Sequence, residues 1–99
     1  MKFPTIFVVS GLLVKNKKVL IAKRAKNDKG AGLWEFPGGK IEYGETNQIA
    51  LRRELKEELG LDTEIGKKLM RNMHKHINTI YDISFYSIKS FSGKLKQNV

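Results

Sequence analysis

The segment GGKIEYGETNQIALRRELKEELGL, from Gly38 to Leu61, carries the densest pattern in this sequence of 99 residues. Near its end, Glu54, Glu57 and Glu58 are spaced i, i+3 and i+4, which on a helix places three carboxylates on one face. Like charges so close repel, which costs helix stability unless a positive charge lies among them. A hard divalent cation is the natural candidate, because Mg²⁺ prefers carboxylate oxygens and is usually shared with substrate phosphates.

The same segment predicts one helix. It begins around Glu45 to Asn47, continues through Leu59, and is ended by Gly60, a residue suited to the position just past the last turn. One side of this helix should be buried by apolar residues at near-helical spacing, while the glutamates face elsewhere. These apolar residues are Ile49, Ala50, Leu55 and Leu59.

The residues outside the helix predict a β-rich frame. Pro37, Gly38 and Gly39 should stop the third strand, and residues 40–44 should form a loop. The predicted strands cover 4–14, 18–25 (a hairpin partner of the first), 33–36 and 79–91, with 68–77 an ambiguous strand, 61–67 a connection of partly extended character and 26–32 a Gly-rich loop.

Composition indicates one small domain covering residues 1–99, with 19 Lys and Arg against 10 Asp and Glu and a net charge of +9. Six of the ten acidic residues lie between positions 35 and 58, so an acidic centre sits inside a basic frame, which suits a polyanionic substrate. Nucleic acid is not indicated beyond this charge. The absence of cysteine fits a reducing compartment, so we expect a cytoplasmic location, and no run is long enough to span a membrane.

The segment 39–61 resembles the Nudix box at every position of its pattern. The matching residues are Gly39, Glu45, Arg53-Glu54-Leu55, Glu57-Glu58 and Gly60-Leu61. The preceding Leu33-Trp34-Glu35-Phe36-Pro37-Gly38-Gly39-Lys40-Ile41-Glu42 resembles the MutT-like subgroup in particular. The resemblance implies an α/β (α+β) fold, an α/β/α sandwich around a mixed sheet, and hydrolysis of a nucleoside diphosphate linked to another moiety with Mg²⁺ or Mn²⁺.

The resemblance also implies roles for individual residues. Glu54 is the candidate general base, and Arg53 is a catalytic-site partner that pairs with a glutamate, either Glu45 or Glu54, and orients it. The implied metal ligands are Glu54, Glu57, Glu58 and the carbonyl of Gly39. The implied substrate-binding residues are Arg24, Lys40, Phe36 and Gly38.

Some side chains keep two interpretations at this stage. Trp34 and Phe36 share one strand face, where each could pack in the core or flank a base, and core packing is favoured for at least one. His74 and His76 also share a face, but without Cys or a third ligand nearby we expect an exposed or substrate-side role and no metal site.

MutT-like proteins continue past the turn at Gly93 with a further strand and a C-terminal helix, so we expect a C-terminally shortened form of that fold. An exposed sheet edge then makes a homodimer a reasonable hypothesis. The function that the resemblance implies is hydrolysis of a nucleoside triphosphate, oxidised nucleotides included, to the monophosphate and pyrophosphate. Two alternatives remain: hydrolysis of another diphosphate (a nucleotide sugar, a dinucleotide or a capped RNA end), and a catalytically inactive nucleotide-binding or assembly module.

Overall fold

The computed structural model describes residues 3–23 and 34–95, so Arg24 and the loop predicted over 26–32 lie outside the described residues. Within this part the chain forms eight strands and one helix, α1 (Asn47–Leu59). The strands are β1 (Thr5–Leu12), β2 (Val14–Lys15), β3 (Lys18–Val19), β4 (Ala22–Lys23), β5 (Trp34–Glu35), β6 (Gly38–Lys40), β7 (Asp62–His76) and β8 (Thr79–Ser92).

Four strands form the main sheet in the order β6-β1-β8-β7. Strands β1 and β8 run parallel, whereas β6 pairs antiparallel with β1 and β7 pairs antiparallel with β8. The mixed sheet with a helix packed on it, expected from the sequence, is therefore confirmed. Two small two-stranded sheets, β2-β3 and β4-β5, are formed by strands that lie between β1 and β6 in the sequence.

Helix α1 has the predicted bounds, and both its ends are capped. The Thr46 hydroxyl accepts a hydrogen bond from the Ile49 N–H at 3.2 Å, which satisfies one of the N–H groups left free at a helix start. Gly60 has a φ of 74° and donates its N–H to the carbonyl of Lys56 at 2.9 Å, as in a left-handed C-cap.

One expectation for the buried side of α1 was wrong. Ile49 is more than half exposed, and Leu51, which the pattern left out, is fully buried with Ala50, Leu55 and Leu59. At 3.6 residues per turn, Ala50, Leu51, Leu55 and Leu59 cover about half of the helix circumference, and Ile49 lies roughly 80° beyond the nearer end of that arc.

The glycine pair also departs from expectation, because Gly38 and Gly39 do not stop a strand but form β6 together with Lys40. A side chain at Gly38 would bring its Cβ to 2.0 Å from the carbonyl oxygen of Val9. Glycine therefore allows β6 to lie against β1 at a distance that other residues cannot tolerate.

Three further strand predictions need correction. The chain over 4–14 is not one strand, since β1 ends at Leu12, and the segment 18–25 does not pair with β1. Both edges of β1 are occupied, by β6 and by β8, so the hairpin is reduced to β2 and β3.

The connection predicted over 61–67 is mostly strand β7, where register shifts around Ile65 and Lys68 obscure the alternation on which strand prediction relies. The ambiguous strand over 68–77 is confirmed up to His76.

The core lies between α1 and one face of the sheet, and it comprises Val9, Leu13, Ala50, Leu51, Leu55, Leu59, Leu61 and Tyr86. The opposite face, here called the open face, carries Ile6 and Val8 of β1 with Tyr81, Ile83 and Phe85 of β8, all partly exposed. Among the residues that the structure describes, no helix has the length and apolar character needed to cross a membrane.

The turn between β7 and β8 places Ile77 at a φ of 55° with 71% of its surface exposed. A β-branched residue in the left-handed region is strained by roughly 1–2 kcal/mol, whereas glycine is not. We expect Ile77→Gly to raise the free energy of unfolding by about 1 kcal/mol and the Tm by about 4–8 °C, measured by thermal and urea unfolding. Ile77→Ala removes the same exposed side chain but keeps the strain, so an equal gain in that variant would contradict the explanation.

Candidate active site

Arg53 is the centre of the ionic network on α1. Its guanidinium makes a two-point contact with Glu45, from Nε at 2.7 Å and from Nη2 at 2.8 Å. Its Nη1 donates to Glu54 at 2.8 Å and to Glu57 at 3.3 Å, and its Nη2 donates to the carbonyl of Lys40 at 3.0 Å. One side chain thus joins α1, the loop before it and strand β6.

The two-point pair is also the strongest electrostatic feature of the site. The hydrogen bond from Arg53, helped by one from the Glu42 backbone, lowers the pKa of Glu45 from 4.5 to about 2. The same hydrogen bond to Glu45 raises the pKa of Arg53. Both side chains are largely shielded, at 20% exposure for Arg53 and 14% for Glu45, so solvent screens this pair less than an ordinary surface ion pair.

The carboxylate of Glu54 rests directly on Gly39. A Cβ placed at Gly39 would stand 2.4 Å from the Glu54 carboxyl group, so only glycine leaves room for it. Arg53 holds the same carboxylate from the other side, through its contact with Oε1 at 2.8 Å. Glu54 is therefore seated between β6 and a fixed positive charge.

Glu58 lies close to the other glycine of β6. Burial raises the pKa of Glu58 above its ordinary value, and a hydrogen bond from the backbone of Gly38 opposes that shift. The negative charges of Glu54 and Glu35 raise the pKa further. Burial and two neighbouring carboxylates thus disfavour the negative charge of Glu58, and a cation placed beside it would lower its electrostatic energy.

Across the described residues, the side chains of His, Asp and Glu do not assemble into a ready-made group of three or more metal ligands. Glu54 and Glu57 instead share the guanidinium of Arg53, which supplies part of the positive charge that the i, i+3, i+4 spacing demands. The chemistry of the donors still suits a hard divalent cation, since Glu54 and Glu58 both offer carboxylate oxygens beside β6.

Three of the four expected substrate-binding residues, Phe36, Gly38 and Lys40, lie in or next to strand β6. Gly38 adjoins Glu58, and Lys40 is exposed at the end of β6. Phe36 is 40% exposed, and its ring meets that of Phe85 edge to face, with centroids 6.2 Å apart. Arg24 is not among the described residues, and the same holds for the side chain of Trp34.

Sequence reasoning did not single out Phe85 or Glu35 as part of this region. Phe85 is one of the alternating apolar residues of β8, a pattern that signals a strand face but not its neighbour across the sheet. Glu35 lies three residues before Gly38, and its charge acts on Glu58 only because β5 and β6 bring the two together.

The sequence matches the NUDIX domain family over residues 4–98, and the chain belongs to that family. It is MutT-like within it. It is 35% identical over 91 residues to the CTP pyrophosphohydrolase of Escherichia coli K12, which covers 92% of this chain and 67% of that protein. It is 53% identical over 55 residues to the putative 8-oxo-dGTP diphosphatase 2 of Mycobacterium tuberculosis CDC 1551, covering 56% of this chain and 39% of that protein.

The fold is shared with solved structures as well. The crystal structure of a MutT NUDIX hydrolase from Burkholderia pseudomallei superposes with a TM-score of 0.85 at 29% identity, covering 93% of this chain and 72% of that one. The chain therefore spans only part of each of these proteins, and less than two thirds of the Mycobacterium relative.

The Glu45–Arg53 pair predicts a pH dependence of stability. Because the pKa of Glu45 is about 2 in the fold and ordinarily 4.5, the unfolded chain binds more protons between these values. The contribution of the pair is complete above about pH 4.5 and is lost as the pH falls toward 2. We expect the Tm to fall across this window, and Glu45→Gln to give a lower Tm at neutral pH and a shallower fall.

Thermal unfolding followed by circular dichroism at several pH values measures this effect. In Glu45→Gln, the remaining decrease of Tm with falling pH should come partly from Asp82. The pKa of Asp82 is also lowered, by its hydrogen bond with Arg71. Glu64→Gln is the matched control, since Glu64 pairs with Lys89 on the exposed surface and such pairs contribute little. An equally flattened slope in the control would contradict the assignment to Glu45.

Proposed function

We propose that this chain hydrolyses a nucleoside triphosphate to the monophosphate and pyrophosphate, with Mg²⁺ or Mn²⁺ as cofactor. The observation that carries the proposal is the seating of Glu54 and Glu58 against the Gly38–Gly39 pair of β6. Two carboxylates, repelling each other and backed by Arg53, meet at a strand whose glycines leave the backbone accessible. This arrangement suits a polyphosphate substrate that brings its own cation.

Glu54 is our candidate for the general base. Its carboxylate is held by Arg53 on one side and by the backbone of Gly39 on the other, so its orientation is fixed before substrate arrives. A carboxylate in this position can take a proton from an attacking water. Arg53 acts as a positioning residue in this scheme, because its contacts are with Glu45, Glu54 and Glu57.

The residues that would hold the divalent cation are Glu54, Glu57, Glu58 and the carbonyl of Gly39. When bound, such a cation neutralises charge on the phosphate oxygens and makes water a better nucleophile. Glu57 is the most exposed of the three glutamates, and its 3.3 Å contact with Arg53 is the longest of the hydrogen bonds that Arg53 donates. Of the carboxylate contacts of Arg53, the one with Glu57 should therefore cost the least free energy to break when Glu57 turns to a cation.

The substrate should lie along β6 and the open face. Lys40, exposed at the end of β6, is suited to a phosphate contact, and Phe36 with Phe85 offers an aromatic surface for a base. One relative is named a CTP pyrophosphohydrolase and another a putative 8-oxo-dGTP diphosphatase, so cytidine triphosphate and an oxidised deoxyguanosine triphosphate are the first substrates to test.

The test is a nucleotide panel. The chain is incubated with Mg²⁺ and CTP, dCTP, dGTP, 8-oxo-dGTP, a nucleotide sugar, a dinucleotide or a capped RNA end, and the products are separated by chromatography. Release of pyrophosphate and a monophosphate from a triphosphate supports the proposal. Turnover of only a nucleotide sugar, dinucleotide or cap, or binding without any turnover, would contradict it, and the second outcome would favour a nucleotide-binding module.

The role of Glu54 as general base is tested by the substitution Glu54→Gln. Glutamine keeps the size of the side chain and an oxygen for Arg53, but it cannot accept the proton, so turnover should fall by about 10²–10⁴-fold. Initial rates and circular dichroism together separate lost chemistry from lost fold. Glu64→Gln, an equal change at the surface pair with Lys89, should keep full turnover. Unchanged turnover in Glu54→Gln would remove this residue from the mechanism.

A second prediction concerns the seat of Glu54. In Gly39→Ala the new methyl group must displace the Glu54 carboxyl, so kcat should fall by at least about tenfold while the sheet persists. Gly66→Ala is the control, since its methyl group crowds Ser87 on β8 instead. It should lower the Tm and leave kcat near the wild-type value. Equal losses of kcat in both variants would point to a general weakening of the fold.

A further inference from the structure

Ser10 is a polar residue in an apolar row of the open face. Along β1, the side chains on that face belong to Ile6, Val8, Ser10 and Leu12, and of these four Ser10 alone carries a polar group. Only 8% of its surface is exposed, and in the part of the chain that the structure describes its hydroxyl has no hydrogen-bond partner. A buried hydroxyl without a partner costs free energy, which alanine at the same position would not.

The cross-strand neighbours of Ser10 belong to the site proposed for the substrate. Ser10 pairs with Gly38 of β6 on one side and with Phe85 of β8 on the other. A Cβ at Gly38 would stand 2.8 Å from the Cα of Ser10, so the backbone of β6 lies very close to this residue. Ser10 is therefore next to the strand that the glutamates of α1 face and next to one ring of the aromatic surface.

The rings of Phe36 and Phe85 meet above β1 close to Ser10. Phe85 belongs to β8 and Phe36 lies just before β6, with β1 between these two strands. Adjacent strands lie about 4.8 Å apart, which places β6 and β8 roughly 10 Å apart. The two ring centroids are nevertheless only 6.2 Å apart, so the rings lean toward each other over β1. Ser10 thus lies at the floor of the surface proposed for the base.

The hydroxyl oxygen of Ser10 is still within reach of a ligand. Among the described residues, the fully enclosed side-chain oxygen without a partner is that of Thr63. The oxygen of Ser10 therefore keeps some contact with solvent, and a polar atom of a bound molecule can replace that contact. A second layer on the open face, which the α/β/α sandwich of the family implies, would bury Ser10 further and make an unpaired hydroxyl more costly.

We propose that Ser10 is a specificity-determining residue whose hydroxyl forms a hydrogen bond with the base of the bound nucleotide. This role rests on the proposed hydrolysis of a nucleoside triphosphate and adds to it the residue that selects among bases. A hydroxyl both donates and accepts, so it can bond the polar edge of a base that lies on Phe36 and Phe85. Crowding by the two rings calls for a small residue, but alanine would meet that need without burying a hydroxyl.

The test compares Ser10→Ala with Ser84→Ala over the nucleotide panel. Ser84 is the matched control, because it is 6% exposed, has no hydrogen-bond partner among the described residues, and pairs with Val9, so it faces the core. In Ser10→Ala, the KM for the preferred nucleotide should rise by about two- to tenfold with kcat unchanged, because the bond is present in substrate complex and transition state alike. The preference for that base over the others should shrink. Ser84→Ala should keep the wild-type KM and preference.

Thermal unfolding without ligand separates a contact with substrate from a contact within the protein. Removal of an unpaired hydroxyl should leave the Tm of Ser10→Ala unchanged or raise it. A lower Tm with an unchanged base preference would mean that the hydroxyl bonds another part of the protein, and would overturn the proposal. A fall of kcat that is equal for all nucleotides would overturn it as well, since that result indicates a displaced site.

Dissociation constants measured in EDTA, where metal-dependent hydrolysis does not proceed, distinguish this role from the proposed reaction. If no triphosphate is hydrolysed but Ser10→Ala weakens the binding of one base more than that of the others, the selection by Ser10 stands and the proposed reaction does not. If the wild-type chain binds no nucleotide, or if Ser10→Ala binds each of them as the wild type does, Ser10 does not select the base.

Discussion

The guanidinium of Arg53 is the constraint on which the site depends. It is bound at two points by Glu45, contacts Glu54 and Glu57, and reaches the backbone of Lys40. Without the guanidinium, repulsion among the glutamates of α1 would destabilise the folded state. Glu54 would also lose the partner that fixes the orientation of its carboxylate. The same contacts tie helix to strand, so the stability of α1 and the geometry of the site rest on one side chain.

The glycines of β6 complement that arrangement from the sheet side. Gly38 lets the strand approach β1, and Gly39 leaves a place for the carboxylate of Glu54. Both glycines are required for steric reasons. The backbone of Val9 occupies the place of a side chain at Gly38, and the Glu54 carboxylate occupies the place of one at Gly39. Arg53 contacts the Glu54 carboxylate and Gly39 leaves room for it, while Gly38 keeps β6 close to β1. The helix therefore presents its carboxylates to a backbone that no larger residue could form.

Local signals in the sequence were sufficient for α1, whose cap residues, length and glutamate spacing all agree. They were insufficient for β6, because Gly38 and Gly39 favour a turn locally and become strand only through contact with Val9. The pairing of β1 with β8 joins residues more than seventy positions apart, which no local pattern encodes. In the site, the glutamates could be read from their spacing, whereas the seat of Glu54 and the approach of Phe85 to Phe36 required the assembled sheet.

The close contact between Gly38 and Val9 couples the candidate active site to the register of strand β1. Val8, Val9 and Ser10 of β1 pair with β6 on one side and with β8 on the other. If β1 itself slips by one residue against both partners, every one of its side chains turns to the other face, so the core and the seat of Glu54 are lost in the same event. Misregistered molecules should thus be inactive as well as poorly packed, and activity per molecule should report on strand register more sharply than helix content does.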